Sequence, residues 1–206
     1  DPSATQLPLF QQRNWFLAKQ AVMFVLRRDG SAELNAQQLS DSLQIKVPAR
    51  MEVRTDGKYT LVLDSAHNPQ KMEALVQSLK QQFPHTKFAV LFALLRSNDK
   101  RLQCTLQQLL PIASHLIVTD FDVRQDLRKF STSPESSVAA CKENGFTSVE
   151  IIPDTKEACA ALLQRPETHR LALQVQQLGL ASHVRFIQER IKSEDILPVF
   201  DIIIAP

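Results

Sequence analysis

Glycine is scarce in this chain. Only Gly30, Gly57, Gly145 and Gly179 occur among 206 residues, so no segment can form the G-x-x-G-K-[ST] loop whose backbone N–H groups cradle nucleotide phosphates. Cysteine is scarce too. Cys104, Cys141 and Cys159 form no C-x-x-C pair, and their odd number argues against a disulfide framework and for a reducing cytoplasm. They have no metal-ligand spacing with His85, His115, His169 or His183. The longest apolar stretch, "FAVLFALL" from Phe88 to Leu95, is far short of a membrane span, and the N-terminus lacks a basic-then-apolar signal pattern. Neither charge sign dominates. Lys and Arg number 24 against 22 Asp and Glu, interspersed, which excludes the strongly basic face of a nucleic-acid binder. An anionic ligand must therefore be held by a local site. The chain also lacks an initiator Met, and its "DPSATQ" start gives the expectation that it is cut from a longer protein.

What the chain has is apolar mass and a regular rhythm. At 44% hydrophobic it can bury one ordinary domain, or one domain and part of another. From Gln11 to Leu26 the spacing of Leu17, Ala21, Val22 and Val25 predicts a helix, stopped by Arg27, Arg28, Asp29 and Gly30. "NAQQLSDSLQI" is a shorter helix, and "VPARMEVR" an extended link, because Pro48 biases Val47 away from helix. Then strands and helices alternate. "YTLVLDS", "KFAVLFALL", "HLIVTDF" and "SVEIIPD" read as strands. Between them "NPQKMEALVQSLKQQF" starts a helix near Pro69, "DKRLQCTLQQLLPIA" is helical, and "SPESSVAACKENG" is a helix ending at Gly145. "TKEACAALLQ" is a helix with Thr155 as its N-cap. This alternation requires a mainly parallel sheet covered on both faces. In the tail, "RLALQVQQLGL" reads as a helix, and "HVRFIQ" and "PVFDIIIAP" as strands.

Three local features line up along this pattern: Gln11-x-x-Asn14 at a helix start, Pro48-Ala49-Arg50 in the link, and Asp64-Ser65-Ala66-His67-Asn68-Pro69 at a strand end. Asp99-Lys100 and Thr119 to Asp122 follow. In order and spacing they resemble the C-terminal part of the folylpolyglutamate synthase and dihydrofolate synthase family of the Mur-ligase superfamily. That family shows Q-x-x-N, P-G-R, a strand ending in D-G-A-H-N-P, an aspartate-lysine pair and T-x-F-D in the same places. The resemblance implies an α/β, Rossmann-like domain at residues 47–206 with an atypical tail at 165–206, preceded at 1–46 by the last helices of a central ATPase domain.

The activity it implies is that of an ATP-dependent ligase. Such an enzyme phosphorylates a folate or dihydropteroate carboxylate with ATP, and the amino group of L-glutamate displaces the phosphate. The implied cofactors are ATP and Mg2+, the metal held mainly by the upstream domain. The implied partners are L-glutamate, a folate or pteroate substrate and that upstream domain, with no nucleic acid and no membrane, in a cytoplasmic monomer. On this resemblance Asn14 meets the adenine edge, Arg50 the phosphates and Asp64 the ribose hydroxyls. His67 lies near the phosphate or the glutamate, Asn68 shapes the following helix start, and Lys100 serves the glutamate side. His67 and Arg50 carry the catalytic roles.

Each role has a plainer rival. Asp64 and Asn68 can cap the next helix, Arg50 can be a surface arginine, His67 a hydrogen-bonded structural residue, and Asn14 a solvent-facing helix residue. Ala49 and Ser65 stand where the family has glycine, and a Cβ in a left-handed backbone costs about 1 kcal/mol or more. These departures, with the missing phosphate loop, imply that this chain alone is inactive. They also leave open a degenerate relative that binds nucleotide or glutamate without turnover, or a Mur-type ligase for another amino acid.

Overall fold

A computed structural model describes residues 7–173 apart from 46, 56, 97 and 125–127. The strands expected at "HVRFIQ" and "PVFDIIIAP" lie outside the described residues. The chain opens with α1 (Leu9–Arg28) and α2 (Ala36–Leu43). Asn35 and Gln38 close a reciprocal capping box on α2, so two backbone N–H groups are satisfied before the helix begins. Next come β1 (Glu52–Thr55), β2 (Thr60–Leu63), α3 (Pro69–Gln82), β3 (Phe88–Phe92) and α4 (Asp99–Leu109). A 3-10 turn leads into β4 (Ala113–Val118), a short hairpin of β5 (Asp122–Arg124) and β6 (Arg128–Phe130), and α5 (Pro134–Glu143). The described chain closes with β7 (Val149–Ile151), α6 (Thr155–Gln164) and β8 (His169–Ala172).

Among the described residues six strands form one sheet in the order β1-β2-β8-β3-β4-β7, parallel except for β1. This is the α/β, Rossmann-like fold expected, and the handedness of its crossovers explains its layers. From β2 through β3 and β4 to β7 the chain steps in one direction, so right-handed connections put α3, α4 and α5 on one face. There Met72, Leu75, Leu106 and Cys141 pack on Val62, Val90, Phe92 and Leu171. The return from β7 to β8 runs the other way, so α6 covers the opposite face, with Ala158, Cys159 and Leu162 against Leu61, Ala89, Leu91 and Ala172. Burial pushes the Cys141 and Cys159 thiols up to about 12, so both act as small core residues.

The structure corrects three expectations. The helix read into "RLALQVQQLGL" is a strand over its first residues: β8 starts at His169 and lies between β2 and β3. The strand that closes the sheet therefore follows α6 directly, inside the segment read as an atypical tail. The N-cap of α6 is Asp154, whose side chain accepts from the backbone N–H of Lys156 and Glu157, while the Thr155 hydroxyl donates to the Asp120 carbonyl. Finally, the link is not extended throughout. Residues 48–50 turn, with Ala49 at φ 55° and Met51 at φ 49°.

Candidate functional site

The turn and β1 bring the two main motifs together. Because β1 runs antiparallel to β2 with Glu52 opposite Leu63, the residues just before β1 lie beside those just after β2. The Met51 N–H donates to Asp64 Oδ2 at 2.7 Å, and the Ala66 N–H to Oδ1 at 2.6 Å. Asp64 thus pins the turn to the strand end while itself buried. Burial raises its pKa to about 6, against the opposing pull of those N–H groups and of the Arg50 charge. Helix α1 is tied to the same turn, since the Gln11 amide donates to the Arg50 carbonyl at 2.7 Å. Three residues on, Asn14 faces the same side of the helix.

A cavity of about 300 Å3 opens between these elements, lined by Phe10, Asn14, Arg50, Asp64, Gln70, Lys71, Ala74 and Leu75. Asn14, Arg50 and Asp64, far apart in sequence, border one space. A second, mainly apolar cavity of about 490 Å3 shares Phe10, Asn14 and Arg50 with it and is walled by Trp15, Val22, Leu39 and Leu43. There the Trp15 indole N–H donates to the Ser42 hydroxyl at 2.8 Å.

His67 is not among the residues lining the first cavity but touches Lys71, which is. Its Nδ1 lies 2.9 Å from the Ser65 carbonyl, which can only accept, so Nδ1 carries the hydrogen and Nε2 keeps its lone pair. Lys71 Nζ lies 3.2 Å from that Nε2. Burial, then the charges of Lys71, Arg101 and Arg50, lower the His67 pKa and keep the ring neutral at pH 7, although the Ser65 carbonyl opposes them. Arg101 anchors the loop by donating to the His67 carbonyl. Asn68 is the N-cap of α3, accepting from the Lys71 N–H, and so fills the plainer of its two expected roles. Lys100 is exposed in the first turn of α4 and does not line either cavity.

Sequence reasoning passed over Lys71, Gln70, Phe10 and Arg101. Lys71 was legible as the i+4 neighbour of His67 across a helix start. Arg101 follows the very Lys100 that drew attention. The donor set suits a nucleotide: an amide edge, a guanidinium, and a carboxylate with lone pairs to spare. It does not suit a metal. Among the described residues no group of three or more His, Cys, Asp or Glu side chains could hold an ion.

A mainly parallel sheet covered by helices, with a polar cavity at a strand's carboxyl end, defines an α/β domain of the kind that holds ligands in that position. The chain belongs to the Mur ligase family: the family's glutamate ligase domain matches residues 49–173. Among solved structures it is similar in fold to the bifunctional folylpolyglutamate synthase/dihydrofolate synthase of Yersinia pestis complexed with AMPPNP and Mn ion. There the TM-score is 0.60 at 19% identity, covering 77% of this chain and 35% of that one. Folylpolyglutamate synthase of Thermotoga maritima gives 0.57 at 24% identity, covering 82% and 37%. E. coli FolC in complex with DHPP and ADP gives 0.59 at 15%, covering 82% and 38%. The chain thus spans little more than a third of these proteins. A search of curated protein sequences returns no match. No described helix is long and apolar enough to cross a membrane.

Proposed function

We propose that this chain is the C-terminal part of an ATP-dependent ligase that joins L-glutamate to a folate or dihydropteroate carboxylate. The observation that carries the reading is the meeting of Asn14, Arg50 and Asp64 around one cavity. When bound, ATP supplies the phosphoryl group that activates the carboxylate as an acyl phosphate, from which the glutamate amino group displaces phosphate. Asn14 offers both a donor and an acceptor to the adenine edge. Arg50 offers a planar fork to the phosphates, where it stabilises charge as it develops. Asp64 keeps lone pairs for the ribose hydroxyls beyond the two it gives to backbone N–H groups. His67 is neutral with Nε2 as acceptor, the form that can take a hydrogen bond from the glutamate ammonium; Lys100, exposed outside both cavities, is assigned to a glutamate carboxylate on the family resemblance alone. Asn68 orders the helix start beside His67. The described acidic residues assemble no magnesium site, and no step is assigned to the metal in this chain.

In this reading α1 and α2, within residues 1–46, end a central ATPase domain. In support, no residue of α1 is buried although it carries Phe16, Leu17 and Phe24, a face suited to cover by a neighbouring domain. The test is glutamate-dependent ADP release by the full-length protein. Arg50→Ala lowers it by about a hundredfold, the scale on which a charge-stabilising donor acts. ADP release indifferent to glutamate, or to Arg50→Ala, would sink the ligase reading. Nucleotide binding without turnover would mark a degenerate relative.

A further inference from the structure

Lys71 is exposed in the first turn of α3 and lines the 300 Å3 cavity together with Arg50, and among the described residues its ammonium bonds only to the neutral imidazole of His67. Among the described residues neither Lys71 nor Arg50 forms an ion pair. Asp64, the one acid among the cavity-lining residues, is buried and has given both oxygens to backbone N–H groups. A third cation, Arg101, is held against the His67 carbonyl a short way off. Asp64 offsets part of the Arg50 charge, yet Lys71 and Arg50 together leave the cavity net positive, with the two cations on separate elements, the linker turn and α3.

We infer that Lys71 is a further binding residue, whose ammonium turns from His67 to the phosphate chain of the nucleotide and holds it jointly with Arg50. The inference rests on the nucleotide reading above and names the group that recognises the phosphates. Two cations on different elements match a ligand with charge at more than one point, as a triphosphate has. A planar guanidinium and a point-like ammonium are complementary ways to grip it. The exchange is easy, because the contact given up is between a cation and a neutral ring at an exposed position. It also leaves the Nε2 lone pair of His67 free.

The test is calorimetric titration of this chain with inorganic tripolyphosphate and with ATP at low salt, using the wild type, Lys71→Gln and Lys80→Gln. Lys80 is an exposed lysine at the far end of the same helix and controls for diffuse charge. Tripolyphosphate binds the wild type, about tenfold more weakly to Lys71→Gln, and unchanged to Lys80→Gln. The His67 ring resonances move on titration of the wild type and stay still in Lys71→Gln. Equal binding by wild type and Lys71→Gln overturns the inference, as does equal weakening in both variants or no binding to the wild type at millimolar tripolyphosphate. If tripolyphosphate binds through Lys71 but ATP binds no tighter, the nucleotide reading fails while Lys71 stands as a polyanion ligand.

Discussion

At Asp64 a single carboxylate does two jobs, and the first is mechanical. It binds the turn before β1, which carries Arg50, to the loop after β2, which carries His67. Holding it there has a cost that depends on pH. Its native pKa, about 6, lies above the value near 4 of an unfolded aspartate. Between these values the native state binds more protons than the unfolded one, so stability falls as pH rises through the window and levels off above it. The contribution amounts to about 3 kcal/mol. Asp64→Asn should remove this part of the slope, which denaturant midpoints at pH 4 and pH 7 will show, and an unchanged slope would refute the assignment. Ala49 and Ser65, the two replaced glycines, part company at this scale. Ala49 does sit in the left-handed region at φ 55° and is fully buried, so the expected strain is present. Ser65 has no positive φ; its oddity is a buried hydroxyl without a partner.

Among the elements, β8 is held in place by an unusual residue. Arg170 is buried in the middle of the sheet. Its guanidinium donates to the carbonyls of Leu162, Leu163 and Arg165, closing the C-terminal end of α6, and lies over the Tyr59 ring with its central carbon 4.1 Å from the ring centroid. Arg170→Met should keep the bulk but orphan those carbonyls, lowering stability by about 3 kcal/mol, as urea denaturation will measure. A loss below about 1 kcal/mol would show that water reaches the helix end. This residue also marks where the sequence was hard to read. Strands such as Phe88–Phe92 and the Pro69 helix start were legible because apolar runs and caps are local signals. The alternation of Arg170, Leu171, Ala172 and Leu173 was not. An arginine in a central strand contradicts the local pattern, and only the tertiary contact with α6 resolves it. The site was partly legible for the same reason. Asn14, Arg50 and Asp64 lie in motifs, whereas Lys71 and Arg101 gain meaning only when two helix starts meet at one loop.

For the whole molecule, β8 is the keystone of the sheet. It pairs with β2 on one side and β3 on the other, and β2 and β3 have no direct ladder. A chain ending at Gln164 keeps the six described helices yet loses the strand that joins β1 and β2 to β3, β4 and β7. It should show no cooperative thermal unfolding by circular dichroism and poor amide dispersion by NMR. A cooperative transition near that of the full chain would show that β2 and β3 can close on each other directly. The order of synthesis sharpens the point. Thr60 pairs with His169, more than a hundred residues later, so a ribosome adding about 5–20 residues per second leaves β2 waiting roughly 5–20 s for its partner. Throughout that interval two apolar strands present raw edges to every other nascent chain on the same message. The finished sheet hides its most hazardous edges at its own centre, and β8, the last of the described strands to emerge, is what hides them.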